Sequence, residues 1–513
     1  MRRLEYAKTA LAILFAYAAL FCGAAHTAGG EWKLGKGCRI EGGLLVAETP
    51  KGAADALATC RVDLSGFAKG VEGSIRCRGE NVSANKTSWL GSKFMLHFVN
   101  GAGRSCFPGA RQVSGSFDWK TVRFRQEFTE GVKDGVGTLT LGLQAATGKI
   151  VFDLASLELR EAKPLWTVPP EDADWRCAYS PSVTEAPLRR GVMLPNRTPT
   201  EEDFSTLEAW GATLARYQIS RNWSRENDNR DKAEFRRWVD GKLDILDRTV
   251  LPLAQKHGIA IVIDLHVLPG GRSGGEHALF FEREYAEEFV EIWRDIARRF
   301  RSRPGVYGYD LMNEPNQTFH SPEGAEDWWA LQVRTAKEIR RIDPETPILV
   351  ESNRSDSPLA YAYMRPVRLE NIIYEVHVYA PLFYTHQAIS KSWPDEVSYP
   401  DPGRGLDKDY LRKRLQPVRD FQLAHGAKIY VGEFSAAAWA SGAERYLRDV
   451  IALCREYGWD WTYHAFREAP CWDVEREAVG RGSKAKYRPS ADNPRKRVLL
   501  EGMKKRKEER TMP

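Results

Sequence analysis

The 513-residue sequence lacks three features that would each assign it to another class of protein. The apolar run near its N-terminus covers only residues 9–22, shorter than the roughly 17 to 25 residues of a membrane-spanning helix, and no second run follows. No two cysteines have the CxxC spacing typical of a zinc site. The net charge is only +6 and is concentrated in residues 480–513. We therefore expect no nucleic-acid partner, no stable membrane span and no metal.

The N-terminus has the order of a secretory signal peptide. Arg2, Arg3 and Lys8 precede the apolar run, and small residues follow it. We predict a signal peptide at residues 1–28 and a secreted or periplasmic protein, with an uncleaved anchor as the alternative. Seven of the 8 cysteines lie beyond residue 28, so at least one thiol stays free. One or two disulfides within the N-terminal region remain an open alternative.

Residues 30–162 have the pattern of an all-β sandwich. Short alternating runs recur about every ten residues, broken by Gly and Asn, with no helical stretch between them. Residues 148–159 resemble the last strands of jelly-roll carbohydrate-binding modules. Trp89 and Trp119 are candidates for a sugar-binding face, with core packing as the alternative.

Residues 163–187 contain several prolines and are predicted to form a linker. Beyond them, apolar runs alternate with segments of three- and four-residue apolar spacing, the order of strands and helices in a parallel (β/α)₈ barrel, or TIM barrel, at residues 188–508. The eight predicted strands are residues 188–194, 212–218, 259–265, 306–312, 347–351, 371–378, 428–433 and 459–466.

Polar residues stand where several of these strands end. Asn313 and Glu314 follow the fourth strand, Glu433 ends the seventh, and Arg216 and His266 end the second and third. The sixth strand ends at His377 and Tyr379. Because the strand ends of a barrel meet at one rim, we expect these side chains to surround one site.

Two facing carboxylates are what the cleavage of a glycosidic bond requires. Strands four and seven lie on opposite sides of the barrel mouth, so Glu314 and Glu433 can face each other across a ligand. One carboxyl group protonates the leaving oxygen, and the other attacks the anomeric carbon when the two are about 5 Å apart. Arg216 is a candidate cation beside the nucleophile, and Tyr379 is a candidate hydrogen-bond donor to it.

The motifs in this order resemble glycoside hydrolase family 5, the cellulase family, within the clan of retaining TIM-barrel glycosidases. Asn313-Glu314-Pro315 looks like the acid/base signature of that family, and Gly432-Glu433-Phe434 looks like its nucleophile. The resemblance implies that Asn313 holds the sugar 2-hydroxyl and that His377 lines the acid/base side. It also implies supporting roles for Arg216, His266 and Tyr379.

The eighth strand departs from the family pattern. The family usually has a tryptophan there, as the platform under the sugar at the cleavage point, whereas this sequence has His464. Either His464 lines the subsite itself or Trp472 folds back as the platform. Trp223, Trp393, Trp439 and His386 are further candidates for contacts with sugar.

The sequence thus predicts a secreted, retaining endo-β-1,4-glucanase that needs no cofactor, acts on a β-linked polysaccharide and is a monomer. A β-mannanase or another β-glycanase on the same machinery is one alternative. A non-catalytic glycan-binding protein and a metal-dependent hydrolase are alternatives of other classes.

Overall fold

The computed structural model describes residues 31–50, 55–85, 90–101, 103–128, 131–162, 174–221, 229–273, 276–389, 393 and 396–504. The predicted signal peptide, Trp89, Trp223 and the first part of the predicted linker lie outside these residues. The chain divides into two compact units, Met1–Leu165 and Trp166–Pro513.

The N-terminal unit consists of two five-stranded antiparallel sheets, in the orders β1-β4-β9-β6-β7 and β2-β3-β10-β5-β8. Its strands are β1 Lys33–Leu34, β2 Cys38–Glu41, β3 Leu44–Thr49, β4 Ala56–Asp63, β5 Gly70–Val82, β6 Gly91–Asn100, β7 Ser105–Cys106, β8 Gly115–Glu127, β9 Val132–Gln144 and β10 Gly148–Glu161. Inward side chains from both sheets share one core, in which the rings of Phe94 and Phe124 lie 4.8 Å apart. The prediction of a β-rich N-terminal region is therefore confirmed.

The C-terminal unit contains a closed barrel of eight parallel strands, as the sequence predicts. These strands are β11 Arg190–Met193, β12 Leu214–Gln218, β13 Ala260–Asp264, β16 Val306–Asp310, β17 Ile348–Glu351, β18 Ile372–Val378, β19 Lys428–Phe434 and β20 Asp460–Tyr463. Two short hairpins complete the strands, β14 Arg272–Ser273 with β15 Glu276–His277, and β21 Arg476–Val479 with β22 Lys486–Pro489.

Amphipathic helices surround the barrel, because their apolar faces bury the outward side chains of the strands. They are α1 Pro181–Thr184, α2 Glu201–Trp210, α3 Lys232–Ile245, α4 Leu251–Lys256, α5 Arg283–Phe300, α6 Trp328–Ile342, α7 Leu382–Thr385, α8 Lys408–His425, α9 Ala443–Tyr457 and α10 Pro494–Met503. A π-helical turn, Leu246–Val250, joins α3 to α4, and a further helical turn lies at Asn353–Asp356. Thr200 and Asp203 form a capping box at the start of α2. No helix within the described part of the chain has the length and apolarity needed to cross a membrane.

The later part of the predicted linker packs against the barrel. The backbone of Cys177 bonds to that of His425, and the Tyr179 hydroxyl donates to the carbonyl of Ile372 at 2.8 Å. This stretch therefore belongs structurally to the barrel unit. The seven cysteines among the described residues form no disulfide with one another.

The interior of the barrel has two layers of different chemistry. The lower layer is apolar and includes Leu214, Val262, Leu349 and Ile373. Side chains point to the same side of a strand every second residue, so the residues two positions further along form the next layer. They are Arg216, Asp264, Glu351 and Glu375, and all four are fully buried. The apolar core thus changes directly into a charged layer toward the C-terminal ends of the strands.

Candidate active site

The side chains predicted to form the site all lie near the C-terminal ends of the barrel strands. Arg216 lies within β12, His377 within β18 and Glu433 within β19, and the others follow strand ends. The two glutamates and His377 meet, because an oxygen of Glu314, an oxygen of Glu433 and a ring nitrogen of His377 all lie within 4.8 Å of one another. The Glu433 side chain is 6% exposed, whereas the Glu314 side chain is 20% exposed.

Arg216 is the cation at the centre of the site. Its Nη1 donates to Glu433 at 2.8 Å, and its Nη2 donates to Asn313 Oδ1 at 3.1 Å. The same guanidinium donates to Asp310 at 2.8 Å and to Glu351 at 3.0 Å. Because the side chain of Arg216 is fully buried, these contacts hold it in one orientation.

The surroundings of Glu433 favour its ionised form. Its Oε2 accepts a hydrogen bond from the Tyr379 hydroxyl at 2.9 Å, in addition to the bond from Arg216. Burial by itself raises the pKa of this carboxyl group, but His377, His464 and Arg216 outweigh burial and hold the pKa well below its ordinary value. Glu433 is therefore a carboxylate at neutral pH.

Glu314 is held mainly through its backbone. Its φ of 50° lies in the left-handed region, which is unusual for a residue with a side chain. Its N–H donates to Glu351 at 2.6 Å, and its carbonyl accepts from His277 Nε2 at 3.2 Å. His377 Nδ1 lies 3.2 Å from its carboxylate. Burial and the nearby Arg272 lower the pKa of His277 to about 3, so His277 is neutral.

His464 and Trp472 occupy the place where a tryptophan platform is expected. His464 Nδ1 lies 2.8 Å from the Tyr379 hydroxyl, so Tyr379 links it to Glu433. The indole of Trp472 is 7% exposed and lies 6.1 Å from the His464 ring, centroid to centroid. His386 packs edge-on against Tyr379 at 5.0 Å. The wall at the eighth strand is thus formed by both His464 and Trp472.

The remaining predicted residues have mixed surroundings. His266 is buried, and its Nδ1 lies 2.8 Å from Asp264, in the same charged layer as Arg216. Trp439 is half-buried, and its indole N–H donates to the carbonyl of Gln387 at 2.8 Å, so it is anchored in loop packing. Trp119, in the N-terminal unit, lies under the guanidinium groups of Arg76 and Arg78.

Four carboxyl groups close to the site were not among the residues singled out from the sequence as functional. They are Asp310, Glu351, Asp356 and Glu375, all fully buried. Burial raises the pKa of Asp310 to about 6 and that of Asp356 to about 8, and it raises the pKa of Glu375 well above its ordinary range. The two-residue alternation along β17 and β18 would have placed Glu351 and Glu375 inside the barrel.

The Glu375 side chain fits inside the barrel because the neighbouring residue on β19 is a glycine, Gly432. A Cβ added to Gly432 would lie 1.6 Å from Glu375 Oε1. Among the described residues, no donor lies in good hydrogen-bond geometry to either carboxyl oxygen of Glu375, and Arg216 Nη2 and His377 Nε2 each lie 3.5 Å from its Oε1. Ligand atoms of Glu351, Asp356, Glu375 and His377 lie within 4.8 Å of one another, a spacing that a cation could bridge. Glu351, however, already accepts N–H donors on both oxygens.

Comparison with known proteins agrees with this geometry. The family model for cellulase, glycosyl hydrolase family 5, matches residues 183–469. Endoglucanase C of Acetivibrio thermocellus is 28% identical over 297 residues, which cover 52% of this chain and 83% of that protein. Cellodextrinase A of Ruminococcus flavefaciens is 24% identical over 241 residues, covering 46% of this chain and 68% of that protein.

Among solved structures, endoglucanase Cel5A of the hyperthermophile Thermotoga maritima is similar, with a TM-score of 0.46 and 22% identity, over 61% of this chain and 96% of that one. The match to the family model extends over more than half of the chain and covers the strands that carry the two glutamates. The chain therefore belongs to glycosyl hydrolase family 5, the cellulase family, and is a glycoside hydrolase.

Proposed function

We propose that this protein is a retaining endo-β-1,4-glucanase in which Glu433 is the nucleophile and Glu314 is the acid/base. The observation that carries the proposal is the approach of the two carboxyl groups, whose nearest oxygens lie within 4.8 Å. Retaining glycosidases hold their carboxyl groups about 5 Å apart, whereas inverting ones leave about 6.5–9.5 Å for a water molecule. An approach of the nearest oxygens to within 4.8 Å matches the retaining spacing and supports the retaining assignment.

The surroundings of each carboxyl group support its role. Glu433 is charged, buried and held by Arg216 and Tyr379, as a nucleophile that attacks the anomeric carbon must be. Glu314 is more exposed and lies beside His377, where it can reach the leaving oxygen. In the first step, Glu433 forms a bond to the anomeric carbon while Glu314 gives its proton to the departing oxygen. In the second step, Glu314 takes a proton from a water molecule, and the oxygen of that water displaces Glu433 from the anomeric carbon.

Asn313 is suited to hold a sugar hydroxyl. Its Oδ1 accepts from Arg216, which fixes the amide and leaves the NH₂ group to donate. A hydrogen bond to the 2-hydroxyl strengthens in the transition state of such reactions. We propose this contact for Asn313, and a lining role for His464 and Trp472 on the opposite wall of the same subsite.

The choice of a β-1,4-glucan rests on the relatives. One is an endoglucanase and another a cellodextrinase, and the match to the first covers most of that protein.

We further propose that residues 1–28 direct export and that the N-terminal unit binds glycan. N-terminal sequencing of the secreted protein tests the first point. Binding of the full chain to insoluble cellulose, compared with that of its Trp119→Ala variant, tests the second.

A reducing-sugar assay of the full chain tests the function. The panel contains carboxymethyl cellulose, mixed-linkage glucan, galactomannan and xylan, and Glu433→Ala is the inactive control. We expect release of reducing ends from the β-1,4-glucans, and none with the variant. Activity on galactomannan alone would replace the substrate with a mannan, and activity retained by Glu433→Ala would contradict the mechanism.

A further inference from the structure

We propose that Glu351, at the end of β17, is a positioning residue that holds the acid/base Glu314 in place relative to the nucleophile. The inference rests on the proposed function, since it assigns no chemistry to Glu351 itself. Glu351 belongs to the buried charged layer beneath the two catalytic carboxyl groups. It is hydrogen-bonded to Glu314 and to Arg216, the cation that binds Glu433.

Two hydrogen bonds make the connection. Glu351 Oε2 accepts from the backbone N–H of Glu314 at 2.6 Å, and Oε1 accepts from Arg216 Nη2 at 3.0 Å. The other terminal nitrogen of Arg216 donates to Glu433 at 2.8 Å. One carboxylate therefore joins the backbone of the acid/base to the cation that holds the nucleophile.

Glu314 needs such a contact because of its backbone. A φ of 50° is costly for a residue with a Cβ and persists only where neighbouring groups hold it. His277 binds the carbonyl of Glu314 and Glu351 binds its N–H, so both polar groups of that residue are held. The direction of the Glu314 side chain toward Glu433 follows from this fixed backbone.

Glu351 is itself fixed by helix α6. The side chain of Gln332 accepts from the Glu351 N–H at 3.0 Å and donates to the Glu351 carbonyl at 3.0 Å. Both residues are fully buried. A carboxylate anchored in this way can transmit position, because its own backbone cannot shift without breaking two further hydrogen bonds.

The charge on Glu351 follows from its donors. Burial raises the pKa of Glu351, and the neighbouring Asp356 and Glu375 act in the same direction, so this cluster holds protons in common. Glu351 receives an N–H donor on each oxygen, which favours its carboxylate form and opposes the effect of burial. An amide at position 351 would turn its NH₂ group toward one of the two donors.

The test compares Glu351→Gln with Asp460→Asn in the full chain. Asp460 is a matched control at the opposite end of the barrel, fully buried like Glu351 and also bound by a backbone N–H, that of Arg189 at 2.7 Å, and by a cation, Lys428 at 3.2 Å. The substrates are cellotetraose and 2,4-dinitrophenyl β-cellobioside, whose leaving group needs no protonation.

We expect Glu351→Gln to lower kcat on cellotetraose about 100-fold, with KM within threefold, because displacement of Glu314 by about 1 Å has that size of effect. On the dinitrophenyl substrate the loss is expected to be less than 10-fold. Asp460→Asn is expected to lower the Tm and leave both kcat values within twofold. Gln332→Met, which removes the support without touching the carboxylate, is expected to show a smaller loss with the same dependence on the leaving group.

An unchanged kcat in Glu351→Gln, or an equal loss on both substrates, would overturn the proposal. If the first variant does not fold, Gln332→Met decides by the same criterion. Crystal structures of the variants give a readout without turnover, in which Glu314 moves in Glu351→Gln and stays in place in Asp460→Asn. If the wild-type chain is inactive on both substrates, the proposed function fails, while the crystal structures still decide the role of Glu351.

Discussion

The two ends of the barrel bury acidic side chains in opposite ways. At the N-terminal end, Asp460 accepts from the Arg189 N–H at 2.7 Å and the Tyr307 hydroxyl at 2.6 Å, and Lys428 lies 3.2 Å away. At the C-terminal end, Arg216 lies within 3.5 Å of five carboxyl groups, those of Asp264, Asp310, Glu351, Glu375 and Glu433. Within the part of the chain that the structure describes, oxygens of Asp264, Asp310 and Glu375 there have no donor in hydrogen-bond geometry.

This difference distinguishes buried acidic residues that stabilise the barrel from those that set the protonation states at the site. A buried carboxylate with matched donors costs little, whereas several that share one guanidinium raise one another's pKa. The crowding at the C-terminal end raises the pKa of Glu375 well above its ordinary range, while neighbouring cations hold the pKa of Glu433 well below it. Groups whose environments push their pKa values apart are typical of acid/base sites.

The largest effect should come from removing the central cation. Arg216→Met leaves several buried carboxyl groups without a cation, and we expect a loss of about 3–5 kcal/mol in the free energy of unfolding together with loss of activity. Lys428→Met at the opposite end should cost about 1–2 kcal/mol and leave kcat unchanged, because Asp460 keeps two donors. Urea denaturation measures both variants. Equal losses would show that the two ends do not differ in this respect.

The next effect depends on the leaving group. Glu314→Ala should lower kcat on cellotetraose about 1,000-fold and spare the dinitrophenyl glycoside in its first step, because only the poor leaving group needs a proton. Added azide should accelerate turnover of the activated substrate, since it replaces the water that Glu314 would activate. Stopped-flow measurement of dinitrophenol release follows this reaction. An equal loss on both substrates would contradict the assignment of Glu314.

The smallest effect should be a dependence of stability on pH. The raised pKa values of Asp310, about 6, and Asp356, about 8, mean that the folded state holds protons that the unfolded chain releases above about pH 4. Stability should therefore fall as the pH rises through these values, and we expect the Tm to drop by about 5 °C between pH 5 and pH 9.

Asp356→Asn should flatten this slope, since the amide does not titrate. At the opposite end, burial raises the pKa of Asp343, but hydrogen bonds from the Thr346 N–H and others outweigh it and lower the pKa. Asp343 stays ionised over this range, so Asp343→Asn should lower the Tm by a similar amount at every pH from 5 to 9 and leave the slope unchanged. Calorimetry over this pH range measures all three proteins. A Tm that is constant from pH 5 to pH 9 in the wild type would show that the buried acids do not hold protons.

The local pattern of the sequence determined the architecture. All eight barrel strands lie within two or three residues of their predicted bounds, because strands buried on both faces are continuous apolar runs and the helices between them have clear periodicity. The capping box at Thr200 is also determined locally, since it depends on two residues that are three positions apart. The convergence of Arg216, Glu314 and Glu433 followed from the rule that the ends of parallel strands meet.

Tertiary structure alone decided the electrostatics of the site. Glu351, Asp356 and Glu375 lie outside any short motif, and their closeness depends on which strands are neighbours around the barrel and how deeply each residue sits. The room for Glu375 beside Gly432 and the left-handed backbone of Glu314 also depend on the packing of separate strands. A linear sequence states which groups can titrate, but their pKa values depend on burial and on neighbours that only the closed barrel brings together.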